Sequence, residues 1–454
     1  MDNIKKIHFI GIGGAGMYPM AKILKEKGYT ISGSDANESE NTDKLKELGI
    51  NIYIGQDVEN IQDDIDLVVY SAAIKEDNPE LMQARKSNIK TIDRAEMLGM
   101  LISLYKEKVT VSGTHGKTTT TGMITQILVA SGKDPTAVIG GRLPLIDGNG
   151  INGSSDIVVC EACEYVDSFL KLDPSIAVVL NIDIDHLDYF KNLENIKKSF
   201  HNFMNKSEKV IIVNGDDENI IDALKGIENK EIISFGFGHG NDYYADNIIN
   251  DKMYQRFDLI CKGKKIADIE LNVPGKHNIY NALAAIVASI CLGVDINDVK
   301  KSIKEFKGVH RRFEYVGKIN GMTIIDDFAH TPTEIEATIT TALKLGYDRV
   351  VTIFQPHTFS RTIALFDDFI KILSLPDKVI IAPIYASREI DKGEISSKKL
   401  ADRIDGAIYL ENFKDIVDFV LENSRPNDLI LTIGAGDVYK CGKMIMNKSD
   451  IDIK

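Results

Sequence analysis

Short apolar runs rich in Val and Ile recur along the whole chain, separated by stretches whose apolar residues fall at helical spacing. This is the pattern of parallel sheets with covering helices. The runs form three groups. The first predicts strands at Lys6–Ile10, Thr30–Ser32 and Leu67–Tyr70, a helix from Met20 to Lys27 after a glycine turn, and a helix from Arg94 to Tyr105. The second predicts strands at Lys108–Ser112, Ile157–Cys160, Ile176–Leu180 and Val210–Val213, then an alanine-rich helix Asn278–Cys291 and a shorter one, Val299–Phe306. The third predicts strands at Met322–Ile325, Arg349–Phe354, Lys378–Ala382 and Leu429–Ile433. The expected fold is α/β in three domains, 1–106, 107–312 and 313–454, the first and last Rossmann-like and the middle one an ATPase-type parallel sheet.

Length agrees, since 454 residues at roughly 150 per domain give about three. Hydrophobic residues at 44% and charged ones at 27% exclude a disordered or coiled-coil chain. The net charge of −13 argues against a surface built to hold nucleic acid, while leaving room for small anions in local basic pockets. No apolar run approaches the roughly 20 residues that cross a bilayer, and the first residues lack the pattern of a signal peptide, so the expected compartment is the cytoplasm. Five cysteines in so long a chain fit reduced thiols. Cys160 and Cys163 have CxxC spacing but no second pair or nearby His to complete a zinc set.

Two glycine turns carry the chemistry. Gly11-Ile12-Gly13-Gly14-Ala15-Gly16 lies between a strand and a helix, where glycines let the backbone approach a pyrophosphate facing a helix N-terminus. Asp35 follows the second strand at the position of a ribose-binding acid, which an NAD-dependent dehydrogenase would also show; a turn needed only for tight packing is the bland alternative. The second turn, Gly113-Thr114-His115-Gly116-Lys117-Thr118-Thr119, has the Gly-Lys-Thr of a P-loop, with amides cradling phosphates, Lys117 on the β- and γ-phosphoryl groups and Thr118 on magnesium. It departs from the general pattern at Val111, where a glycine is expected. Glu161 ends one predicted strand, and His186 lies past another in Asp185-His186-Leu187-Asp188; both would sit at the ligand side of a parallel sheet and suit a magnesium-bound phosphate.

Together with Glu161-Ala162-Cys163-Glu164, Gly275-Lys276-His277-Asn278, Arg311-Arg312-Phe313, Asp326 to Pro332 and Phe354 to Thr362, these segments resemble the ATP-dependent Mur ligases of peptidoglycan synthesis over essentially the whole chain. The resemblance implies that Lys117 contacts ATP phosphates, that Thr118 and Glu161 hold one magnesium and that His186 helps hold a second. It implies that Asn278 and Asn281, one helical turn apart, meet the nucleotide, joined by Arg312 and Asp327 from the third domain. Gly11, Gly13, Gly14, Ala15 and Gly16 would then hold the diphosphate of a UDP-sugar, with Asp35 and Ser71 added. His357 and Arg361, at i and i+4, would receive the amino acid or the substrate carboxylate together with His330; two like-signed residues on a solvated helix face is the plainer alternative. The implied substrates are UDP-N-acetylmuramate and L-alanine, with Gly or L-Ser addition, or muramoyl-peptide recycling, as rivals. The expected assembly is a monomer or weak homodimer.

Overall fold

The computed structural model describes residues 4–251, 253–387 and 389–448; the side chain of Asp188 lies outside the described set. Three sheets follow one another. The first contains β1 (Lys6–Ile10), β2 (Thr30–Asp35), β3 (Asn51–Ile54), β4 (Leu67–Tyr70) and β5 (Lys90–Asp93), all parallel, in the order β3-β2-β1-β4-β5. Its order reverses at β1, so the turn Gly11–Gly16 opens at a switch point, where parallel sheets leave a crevice.

The second sheet contains β6 (Glu107–Ser112), β7 (Thr136–Leu143), β8 (Gly148–Ile151), β9 (Ile157–Glu161), β10 (Ile176–Val179), β11 (Val210–Asn214), β12 (Glu231–Gly236), β13 (Tyr243–Asp251), β14 (Tyr254–Cys261) and β15 (Lys264–Leu271). The order is β15-β14-β13-β12-β11-β10-β6-β9-β7-β8, which puts β6 between β9 and β10 at the heart of the parallel part. The third sheet contains β16 (Glu314–Ile319), β17 (Met322–Asp327), β18 (Arg349–Phe354), β19 (Lys378–Ile381), β20 (Ile408–Tyr409) and β21 (Asp428–Ile433) in the order β16-β17-β21-β18-β19-β20, parallel except for β16.

The central strands are the continuous apolar runs of the sequence because helices cover both faces: every residue of β10 and β21 is buried. Element ends differ where capping decides them. The first helix begins at Tyr18 rather than Met20, since Pro19 has its φ already set for a first turn. The helix predicted to reach Tyr105 spans Arg94–Ile102, and the one predicted at Val299 starts at Ile296, where the Asp295 side chain accepts from the Asn297 amide.

By packing, the chain divides into two compact units. One comprises residues up to Ile248 with Arg256–Leu271 and Lys276–Phe306; the other comprises Ile249–Gln255, Asn272–Gly275 and the residues from Lys307 onward. The first two sheets share the first unit because they share one core: Leu98, Leu101 and Ile102 belong to the same buried cluster as Phe169, Leu172 and Phe200. Among the described residues, no helix is long and apolar enough to cross a membrane.

Candidate nucleotide site and neighbouring anion-binding turns

Strand register assembles the second turn. Val111 of β6 pairs with Glu161 of β9, and Ser112 pairs with Val179 of β10, so Glu161 and Asn181 flank the loop that leaves β6. Gly113 and Gly116 both have left-handed φ, +142° and +87°, and Gly116 caps the helix Lys117–Ala130. Asn181 clamps the loop: its side-chain oxygen accepts from the His115 amide at 2.8 Å, its amide nitrogen donates to the His115 carbonyl at 3.0 Å, and its own carbonyl accepts from the Thr114 amide at 3.2 Å. The first-turn amides of the helix behind the loop have no intrahelical acceptor, which is what makes such a terminus an anion site.

Lys117 Nζ donates to Glu164 at 2.9 and 3.1 Å and to the Thr114 carbonyl at 3.1 Å. Burial disfavours the ammonium, but Glu164, with Cys163 and Glu161 behind it, more than offsets this and raises its pKa. The Thr118 hydroxyl donates to Glu161 at 3.0 Å, and the other Glu161 oxygen accepts from the Gly140 amide. A Cβ on Gly116 would collide with the Asn281 side chain, so Asn281 packs against the loop, and it donates to Asn278 at 3.0 Å one turn earlier on the same helix. The hydroxyl of Ser112, last residue before the loop, is buried without a partner among the described residues.

These residues fit magnesium and a nucleotide triphosphate. A hydroxyl and a carboxylate in contact at a phosphate-binding turn are hard oxygen ligands of the kind magnesium takes along with phosphate oxygens and water. Among the described residues, no three His, Cys, Asp or Glu side chains are gathered to hold a metal alone. His186 lies beside Glu164, its Nε2 3.9 Å from a carboxylate oxygen and its ring 4.6 Å from that of Tyr165. Its φ of +51°, with +54° at Val166 and +55° at Asp167, concentrates left-handed backbone around this carboxylate. Glu164 stands inside a segment singled out by sequence and Asn181 just past a predicted strand, but only the register reveals what they contact.

In the first turn the amides of Gly11 and Ile12 donate to the Ser34 carbonyl at 2.8 and 3.0 Å. Asp35, expected to face a ribose, accepts from the Gly13 amide at 2.9 Å and so braces the turn itself. Ser71 stands against Gly11, 3.4 Å from where a Cβ would lie, and its hydroxyl accepts from the Ala73 amide. Asn149, from β8, donates to the Ala15 carbonyl at 2.8 Å.

In the C-terminal unit, Asp327 ends β17, and both its oxygens are taken by the amides of Phe313 and Ala329, each at 2.7 Å. Arg312 lies over the Phe328 ring at 5.7 Å, while Arg311 is sandwiched between Phe328 and Tyr439 and donates to Asp326 at 3.2 Å. Burial raises Asp327 to about 6, against the opposing pull of Arg312 and the two amides. A buried carboxyl that keeps its proton longer than in the unfolded chain contributes stability that is fully present below its ordinary value of 3.8 and lost as pH rises through about 6. The shift corresponds to about 3 kcal/mol. Urea unfolding of the full chain should show stability falling over this window relative to Asp327→Asn; parallel pH profiles for the two proteins would contradict the shift.

His357 and Arg361 do not share a helix face as their spacing suggests. Thr358, with φ +68°, separates His357 from the short helix Phe359–Ala364, and Arg361 reaches back to donate to His357 Nδ1 at 2.8 Å. Burial, with Arg361 and His330 nearby, lowers His357 to about 4, so a neutral imidazole accepts from the guanidinium and the two are not like charges. The His330 and His357 ring centroids are 5.8 Å apart, and His357 stacks on Tyr385, whose side chain forms one wall of a cavity of about 320 Å³ with Gln355, Phe413 and Asp437.

A P-loop at the centre of a parallel sheet, with an acidic strand end beside it and two further α/β sheets, defines a nucleotide-binding α/β protein of three domains. The models of the Mur ligase family match residues 6–106 (catalytic domain), 111–289 (middle domain) and 311–436 (glutamate ligase domain). The chain belongs to the Mur ligase family. It is 48% identical to a UDP-N-acetylmuramate–L-alanine ligase of Acetivibrio thermocellus (98% of this chain, 96% of the relative) and 47% to that of Clostridium acetobutylicum (98% of each). Among solved structures, it is similar to the UDP-N-acetylmuramate–alanine ligase of Thermotoga maritima (TM-score 0.83, 29% identity, 98% of this chain and 99% of that one). A murein peptide ligase of Psychrobacter arcticus also matches (TM-score 0.72, 25% identity, 98% of each).

Proposed function

We propose that this chain is an ATP-dependent ligase that joins L-alanine to the lactyl carboxylate of UDP-N-acetylmuramate. The observation that carries the reading is Lys117 and Thr118 set against Glu164 and Glu161 at the strand-to-helix turn, in a chain with nearly full-length similarity to relatives of that name. The acid substrate sits with its diphosphate on Gly11–Gly16, and segments 1–106, 107–312 and 313–454 act as acid-binding, nucleotide-binding and amine-binding domains.

A carboxylate is a poor acyl donor. Its oxygen attacks the γ-phosphorus, ADP leaves, and the acyl phosphate so formed is attacked by the amine, with phosphate departing as the amide forms. Lys117 and the helix N-terminus behind it stabilise charge on the transferring phosphoryl group. Thr118 and Glu161 would hold one magnesium ion and His186 would help hold a second, and the two ions would supply further charge compensation there. Asn278 and Asn281 position the nucleotide. Arg361, held by His357 and near His330, offers a bidentate fork to a carboxylate. The reaction runs in the cytoplasm, in a monomer or weak homodimer.

Phosphate release from magnesium-ATP tests this. It should require UDP-N-acetylmuramate and L-alanine together, with Gly and L-Ser poorer. Dependence on an L-Ala-containing tripeptide instead would transfer the chain to peptide recycling, the activity suggested by its similarity to the murein peptide ligase.

A further inference from the structure

Arg94 opens the helix Arg94–Ile102, is only partly exposed, and makes no hydrogen bond or ion pair with any described residue. Its stem lies across the last glycine of the first turn: a Cβ on Gly16 would stand 3.0 Å from Arg94 Cδ and 3.2 Å from Nη1. The missing side chain at Gly16 therefore makes room for an arginine. In the same turn the amides of Gly11, Ile12, Gly13 and Gly14 all have acceptors, whereas those of Ala15 and Gly16 have none among the described residues.

Two backbone donors and a guanidinium on one small surface, all without acceptors, form an incomplete set. Leaving such donors partly desolvated is unfavourable, and a guanidinium fork is shaped for oxyanions, phosphate above all. Nearby acids do not complete the set. Asp93, the preceding residue, accepts from the Glu96 amide, and Glu96 pairs with Lys171.

We propose that Arg94 is a binding residue for the acid substrate, taking the diphosphate together with the amides of Ala15 and Gly16. This rests on the reading of Gly11–Gly16 as the UDP-sugar site. The competing partner is the lactyl carboxylate of the same substrate, since a guanidinium fork suits a carboxylate as well as a phosphate.

Calorimetric titration of the full chain separates these. UDP, UDP-N-acetylglucosamine (same diphosphate, no lactyl group) and UDP-N-acetylmuramate are each titrated into wild type, Arg94→Met and Arg94→Lys, with a non-hydrolysable ATP analogue as the folding control. A charge-assisted hydrogen bond lost on truncation predicts affinities roughly 10- to 100-fold weaker in Arg94→Met, by the same factor for all three uridine ligands. Arg94→Lys should recover part of the loss, and the analogue should bind all three proteins alike. Unchanged affinity for UDP in Arg94→Met would overturn the proposal, as would a loss confined to the lactyl-bearing sugar. If wild type binds the ATP analogue but none of the uridine ligands, the underlying reading of the first turn fails.

Discussion

Lys117→Met is expected to lower kcat by about a thousandfold while leaving the affinity for UDP-N-acetylmuramate unchanged, because removing one preorganised donor from a charged transition state has effects of this order. The structure adds a second consequence. Lys117 is the cationic partner of Glu164, a side chain only 3% exposed, at 2.9 Å. Deleting one member of a buried pair strands the other's charge, at about 3–5 kcal/mol. The single variant should therefore be both inactive and less stable. Glu164→Gln introduced beside Lys117→Met removes the stranded charge, so it should restore stability without restoring turnover. Thermal unfolding and single-turnover phosphate release, measured on the same three proteins, keep the two effects apart. A single variant as stable as wild type, or a double variant that regains activity, would contradict this account of the pair.

Gly116→Ala is the second large effect. With φ +87° the residue occupies the left-handed region, and its Cβ would enter the Asn281 side chain and lie 3.2 Å from Leu180 Cδ1. Backbone strain and overpacking together are worth about 3 kcal/mol, and because they fall on the phosphate-binding loop they should weaken an ATP analogue roughly a hundredfold. Gly132→Ala is the matched control: it too has a left-handed φ, +73°, but nothing lies within 4 Å of its Cβ. It should lose about 1 kcal/mol of stability and leave nucleotide affinity unchanged. Equal affinities in the two alanine variants would show that the Asn281 contact does not shape the loop.

Much of the architecture is legible in the sequence because the central strands are buried on both faces. Leu67–Tyr70 is a continuous apolar run and Arg349–Phe354 a mostly apolar one, and both appear as strands with those ends. The strands that escape such reading are those with a wet face. β13 is exposed or half-exposed at most positions, and β7 contains Gly140 and Gly141, so neither offers an unbroken apolar run. The site follows the same logic. Gly113 to Thr119 is contiguous and can be read directly, and Glu161 is marked by the end of an apolar strand. The contact of Glu164 with Lys117 depends on how β9 continues past the loop. Arg94 meets Gly16 only because β5 lies two strands from β1 in the first sheet, a relation that exists in the fold and not in the spacing. The spacing of His357 and Arg361 suggests a shared helix face, but Thr358 turns the backbone between them and Arg361 recovers the contact by reaching back.

The core shared by the first two sheets fixes a length. Leu98 and Leu101, on the helix that Arg94 begins, and Phe169 and Leu172, just beyond Glu161 and Glu164, are buried in one cluster. The turns Gly11–Gly16 and Gly113–Thr119, proposed to take the diphosphate and the γ-phosphate, are thus mounted on a common mass of close-packed side chains, so their separation does not vary freely. Such a pair of anchors acts as a ruler. With the acid substrate held as proposed, its carboxylate would reach the phosphoryl group only if the sugar spanned that interval, so the spacing of the two turns would select the acid by reach.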